Sequence, residues 1–260
     1  MSPPSPSEIH AAPEKWAFFL DIDGTLIDLA PDPEKVVVPA DLPPLLSMLE
    51  AHTAGALALN TGRQLAIVDR MMSPSLFAAA GVHGTELRLQ AGGAIDQLAP
   101  EVPKALTTEV EAAAFTLDPA IKVEDKHVGI AVHYRHAPAQ EEKLREALAR
   151  IAVSWPDFEM RPGRKVFELV PRGLSKATAI ASFLSQAPYQ GRLPVVIGDD
   201  VGDTPALAYA REAGGIAMTV AGEHFPLASA TFSDTASVRA WLREIVYPAR
   251  HAEAGTAARA

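Results

Sequence analysis

The sequence predicts an α/β protein: a doubly wound, mainly parallel-sheet core of Rossmann-like type with an inserted α+β cap domain. Three observations carry that expectation. Short apolar runs at 16–20, 55–59 and 193–198 have the length of buried parallel strands, and helical spacing follows each of them. All three runs end in polar groups, at Asp21-Ile-Asp23, Asn60-Thr61-Gly62 and Asp199-Asp200, which is where open α/β sheets place their chemistry. Between Pro103 and Pro171 the texture changes to helix, alternating strands, helix and strand pair, the pattern of a compact α+β unit.

In chain order, residues 1–14 are rich in Pro, Ser and Ala and are expected to form a disordered arm without the features of a signal peptide. The first strand follows, and 27–38, with its Pro and Asp, is expected to be irregular. A helix is predicted over 39–52, starting near Asp41-Leu-Pro-Pro with Leu45, Leu46 and Leu49 on one face. After the strand at 55–59 come a helix over 64–72 and a third strand over 76–80, which ends at Gly81-Val-His83-Gly84-Thr-Glu86. The inserted unit should hold helices over 104–115 and 140–155, one or two antiparallel strands over 122–135, and a strand pair over 161–170. Ser175 is the expected N-cap of a helix running from Lys176 to Leu184. The strand at 193–198, a helix over 206–213, a strand over 215–220 and a helix over 236–246 complete the alternation. The expected division is a core of 15–102 and 172–248, a cap of 103–171, and a flexible tail of 249–260.

Bulk properties narrow the function. A net charge of −9 without any basic stripe argues against nucleic acid as a partner. No run approaches the roughly 20 apolar residues a membrane helix needs, so no membrane partner is expected. Cysteine is absent, which removes disulfides and thiolate chemistry and suits a cytoplasmic location. Protein partners leave no mark on the sequence.

Parallel strands point the same way, so Asp21 and Asp23 can meet Asp199, Asp200 and Asp203 at one sheet edge. Their mutual repulsion calls for a hard divalent cation, and oxygen ligands with water suit Mg2+. The plainer alternative is that Asp and Gly simply make turns after strands. A calcium loop of the Asp-x-Asp-x-Asp-Gly kind fails, because Gly24 comes too early and a strand precedes it. Thr61 before a glycine and Lys176 at a helix start are groups that can hold phosphoryl oxygens. A lysine in a first helical turn opposes the helix dipole, which favours a functional role for it.

In order and spacing, Asp21-Ile-Asp23-Gly24-Thr25, Thr61-Gly62-Arg63, Lys176 and Gly198-Asp199-Asp200-x-x-Asp203 resemble the four motifs of haloacid dehalogenase-like phosphatases. Within that superfamily the chain resembles the bacterial trehalose-6-phosphate phosphatases, through Gly81-Val-His83-Gly84-Thr-Glu86, Val123-Glu124-Asp-Lys126, His133-Tyr134-Arg135 and Phe167-Glu168-Leu-Val-Pro171. The resemblance implies Asp21 as nucleophile forming an aspartyl-phosphate, and Asp23 as the acid and base. It implies Mg2+ on Asp21, Asp199 and the carbonyl of Asp23, with Asp200 and Asp203 in support. Phosphoryl oxygens would fall to Thr61 and Lys176, helped by Gly24, Gly62 and Arg63. Glu124, Lys126 and Glu168 would contact the sugar of a small-molecule sugar phosphate, with His133 and Arg135 as weaker candidates.

The chain departs from the family pattern at Gly202-Asp203-Thr204, where Thr-Asp-Glu is usual, and at Ala177 and Thr61, where Gly and Ser are usual. Asp23 must hold a proton at neutral pH, and a dry pocket under a closed cap is expected to provide for that. Alternatives are a phosphatase for sucrose phosphate or a glycosyl-glycerate phosphate, and a non-catalytic sugar-phosphate sensor. A dehalogenase would have no use for Asp23.

Overall fold

The protein is described by a computed structural model covering residues 4–30 and 35–248. Its first element corrects the expectation of a disordered arm over 1–14: Pro6–Ala11 is helix α1. Ser5 and Glu8 form a reciprocal capping box around a proline in the first turn, and Ile9 is fully buried. The ring of His10 further ties α1 to the carbonyl of Ile245, 2.7 Å away. Residues 249–260, expected to be a flexible tail, lie outside the described residues.

The core then runs β1 (Trp16–Leu20), α2 (Leu42–His52), β2 (Leu57–Asn60), α3 (Leu65–Met71), β3 (Ala78–Gly81), β4 (Glu86–Arg88) and β5 (Asp96–Gln97). The insertion holds α4 (Lys104–Leu117), β6 (Lys122–Asp125), β7 (Ile130–His133), α5 (Glu141–Ser154), β8 (Phe158–Gly163) and β9 (Val166–Pro171). The chain returns through α6 (Lys176–Leu184), β10 (Leu193–Gly198), α7 (Thr204–Glu212), β11 (Ile216–Thr219) and α8 (Thr235–Val246). Helix α2 starts at Leu42, within the Asp41-Leu-Pro-Pro stretch expected to open it, and Asp41 at its N-cap position pairs with Arg243 without making a capping hydrogen bond.

The main sheet has the order β11-β10-β1-β2-β3-β4-β5, parallel from β11 to β3 and antiparallel at β4 and β5. Central β1 is buried on both faces, which is why it is apolar throughout. Phe18 and Leu20 pack with α2 and α8, while Ala17 and Phe19 pack with α6 and α7. In register, Leu20 faces Ile197 on β10 and Leu59 on β2, so the residues that follow these strands emerge side by side.

Strands β6-β7-β9-β8 form a second, antiparallel sheet. Leu106, Val110, Leu144, Leu148 and Phe167 form its own core beneath α4 and α5. Register aligns Glu124, Ala131, Glu168 and Arg161 in one row on the opposite face, because side chains alternate along each strand. That face is turned to the core.

Candidate active site

The floor of the site is the edge where β1, β2 and β10 end. Asp21 and Asp199 are buried there, and Gly24 lets them approach. Its φ of +81° favours glycine, and a Cβ at this position would lie 2.1 Å from Oδ2 of Asp199. Thr25 donates its hydroxyl to Oδ1 of Asp199 at 3.2 Å.

Lys176 reaches in from the first turn of α6. Its ammonium donates to Oδ1 of Asp21 at 2.7 Å and to Oδ1 of Asp203 at 2.6 Å. Two features hold that turn in place: Ser175 is the N-cap, as expected, and Asn60 donates to the carbonyl of Lys176 at 3.0 Å. Asp203 is held in turn by the backbone N–H groups of Asp199 and Asp200, each 3.1 Å from Oδ2. Thr61, directly after the end of β2, is buried, and its hydroxyl accepts from the N–H of Arg63 at 3.2 Å.

Asp21, Asp199 and Asp203 each offer an oxygen, and these oxygens lie within 4.8 Å of one another. One ammonium faces three buried carboxylates. Burial, and then the neighbouring Asp203 and Asp199, push Asp21 well above the usual carboxylate range despite Lys176. Asp199 is pushed up to about 7 by burial and by Asp203. Burial would lower Lys176, but the two carboxylates raise it. The cluster thus has the oxygen donors and the surplus negative charge of a divalent-cation site. Asp203 sits inside this group, whereas Asp200 does not; its carboxylate caps the N–H of Val201 at 2.7 Å.

Asp23 departs from expectation. Its carboxylate is a quarter exposed and is gripped by Arg63 through two bonds of 2.6 Å, from Nε and Nη2. Among the described residues, a bidentate guanidinium holds it in place of the expected dry pocket.

Cap residues form the roof. Lys126 donates to Oε1 of Glu168 at 2.7 Å and reaches the carbonyl of Gly62 on the floor at 3.5 Å. Burial would raise Glu168, but His83 and Lys126 hold it well below the usual range. Glu124 pairs with the His133 ring at 2.9 Å. A cavity of about 870 Å3 lies between cap residues and the Gly62–Arg63 loop, lined by Asp23, Gly62, Arg63, Glu124 and Lys126 together with His133 and Arg135; the buried carboxylates Asp21, Asp199 and Asp203 do not line it. The last two, weak candidates in the sequence, face this cavity. Val36, Val38, Ile67 and Met71 add apolar surface to the lining.

The family model described as trehalose-phosphatase matches residues 19–231. The chain belongs to the trehalose-phosphatase family. It is 36% identical over 234 residues to the trehalose-6-phosphate phosphatase of Escherichia coli (strain K12), covering 89% of this chain and 86% of that protein. It is 38% identical over 209 residues to a probable trehalose-phosphate phosphatase of Sinorhizobium fredii, covering 80% of this chain and 78% of that one. The C-terminal domain of a Candida albicans trehalose-6-phosphate phosphatase has the same fold, with a TM-score of 0.81 at 18% identity over 94% of this chain and 97% of that one. Family members of this kind are phosphoric monoester hydrolases, and the buried acidic triad of this chain suits metal binding.

One residue at the site escaped the sequence reading as an individual: His83, whose Nε2 lies 2.7 Å from Oε2 of Glu168. Its motif, Gly81-Val-His83-Gly84, was visible, but nothing local linked it to a glutamate on the cap. Glu86 of the same motif has a structural task, accepting the N–H of Leu65 at 2.7 Å at the start of α3.

Proposed function

We propose that this protein hydrolyses trehalose 6-phosphate to trehalose and phosphate, with Mg2+ as cofactor and through an aspartyl-phosphate on Asp21, the last step of trehalose biosynthesis. The observation that carries the reading is the meeting of two unlike surfaces: a buried carboxylate floor with surplus negative charge, and a roof of hydrogen-bonding groups. Mg2+ on Asp21, Asp199 and the Asp23 carbonyl, supported by Asp200 and Asp203, would supply the positive charge that lets an anionic carboxylate approach an anionic phosphoryl group.

An Asp21 oxygen attacks phosphorus, and the bond from phosphorus to the sugar oxygen breaks. Asp23 gives its proton to that departing oxygen. It then takes a proton from water, which attacks the phosphoryl group, breaks its bond to Asp21 and leaves as part of the phosphate. Thr61 and Lys176, with backbone groups at Gly24 and Gly62, hold the phosphoryl oxygens as charge develops on them. Arg63 exchanges its hold on Asp23 for the incoming phosphoryl group, which frees Asp23 for the proton transfers.

Glu124, Lys126 and Glu168 bind the sugar hydroxyls, supplying both donors and acceptors to a neutral polyol. Glu124 and Glu168 would repel an aglycone carboxylate, which disfavours glycosyl-glycerate phosphates. Segment 103–171 acts as a cap that opens and shuts on the core of 15–102 and 172–248.

The covalent route is tested by acid-quenching the enzyme during turnover and mapping phosphate by mass spectrometry. The label is expected on the peptide carrying Asp21. Rapid release with no phosphorylated peptide contradicts the route.

A further inference from the structure

His83 lies in the turn after β3, with φ of 54°, next to Val82 at 44°. Two consecutive non-glycine residues in the left-handed region persist only where surroundings hold them. Here the turn is stitched to the loop of Thr61, Gly62 and Arg63: His83 N–H donates to the Thr61 carbonyl at 3.1 Å, and Val82 N–H to the Arg63 carbonyl at 3.0 Å. The imidazole covers Gly62 so closely that a Cβ there would lie 2.8 Å from the ring.

From this seat the ring reaches across to the cap. Nε2 meets Oε2 of Glu168 at 2.7 Å, Lys126 takes Oε1 at 2.7 Å, and the same ammonium turns back to the Gly62 carbonyl at 3.5 Å. The result is a closed ring of contacts that crosses between core and cap twice. All three side chains are largely shielded, at 16%, 10% and 15% exposure for His83, Glu168 and Lys126. A further core–cap ion pair among the described residues, Arg164 with Glu223 at 3.1 Å, is solvent-exposed on both sides and contributes little.

We propose that His83 is a positioning residue, the core's half of a latch that seats Glu168 over the Thr61–Arg63 loop and so couples sugar recognition to placement of the phosphoryl group. The latch forms each time the cap shuts, with or without substrate. Sugar hydroxyls then meet a carboxylate already fixed relative to the phosphoryl loop instead of one carried on a wandering cap. The coupling to sugar rests on the proposed substrate; the latch itself does not.

Two measurements therefore test it. Hydrogen exchange of the substrate-free protein reads the latch directly: amides of residues 61–63 and 126–129 are expected to exchange about tenfold faster in His83→Ala, while His83→Gln, whose amide has similar reach, stays near the parent. Equal exchange in parent and His83→Ala overturns the latch, and so does fast exchange spread evenly through β1 and β10, which would mark general destabilisation. In turnover of trehalose 6-phosphate, His83→Ala is expected to raise KM about tenfold with kcat falling less than about threefold, with recovery in His83→Gln. The KM effect should vanish when Glu168 is already Gln; persistence of the full effect there overturns the coupling. If the parent enzyme turns over no sugar phosphate, the substrate reading fails alone and the exchange result decides the latch.

Discussion

Asp21 in the core and Glu168 in the cap are both buried carboxylates with an ammonium 2.7 Å away, yet they are driven in opposite directions. Around Asp21, one lysine must serve three carboxylates, and burial prevails. Around Glu168, both Lys126 and His83 approach a single carboxylate, and the partners prevail over burial. The floor is therefore short of a positive charge, while Glu168 of the roof is balanced by Lys126 of the cap and His83 of the core. A surface short of cations suits a metal and a phosphoryl group together. A carboxylate met by its own donors suits a neutral polyol, because the group offers donors and acceptors together.

That contrast can be broken at the floor or at the roof. The largest effect is expected for Asp21→Asn, which leaves the cluster's shape intact but removes the charge of the oxygen proposed to attack; turnover of trehalose 6-phosphate should fall by about 10⁴-fold or more while substrate still binds, checked by calorimetric titration beside phosphate release. Lys176→Met comes next. Leaving three buried carboxylates without their ammonium should cost about 3–5 kcal/mol of stability in urea unfolding. Added Mg2+ should restore part of that loss, which distinguishes a charge deficit from a packing defect.

Removing charge from the roof is milder. Glu168→Gln keeps the shape and one acceptor, so KM for trehalose 6-phosphate should rise about tenfold with kcat within about threefold of the parent. An unchanged KM would remove Glu168 from the sugar site.

The smallest effect is a pH slope. Folded protein keeps the proton on Asp199 up to about 7, whereas an unfolded aspartate loses it near 3.9. Between those values the folded state binds more protons, so this contribution to stability is complete below about pH 4 and is lost as pH rises through 7. Lys176, raised from its ordinary value, stays charged throughout that window. The melting temperature of metal-free protein should fall by a few degrees from pH 5 to pH 8. Saturating Mg2+ should flatten or reverse the slope, because the ion competes with the proton for the same oxygens.

The floor was legible in the sequence because its groups stand at the ends of apolar runs, and register then brings neighbouring strand ends together. Asp21, Thr61 and Asp199 follow from that rule alone. Lys176 was legible from its helix start. The antiparallel edge was not, since Glu86-Leu-Arg88 looks like exposed chain; Arg88 is buried where Asp69 meets it with two bonds of 2.6 and 2.7 Å and the Phe77 carbonyl accepts a third at 3.3 Å. Helix α1 hid behind its prolines, although the Ser5-x-x-Glu8 spacing of a capping box was there to be seen. Pairings between distant side chains left no local trace. The grip of Arg63 on Asp23 and of His83 on Glu168 depends on how elements meet, and spacing along the chain does not encode that.

Whether a cation-starved floor and a sugar-reading roof act on one substrate is read from phosphate release across a panel of sugar phosphates, with and without Mg2+. Release from trehalose 6-phosphate is expected to require Mg2+ and to exceed release from glucose 6-phosphate and sucrose phosphate by at least about tenfold in kcat/KM. Equal rates on glucose 6-phosphate and trehalose 6-phosphate, or full activity after the metal is stripped, would contradict that joint action.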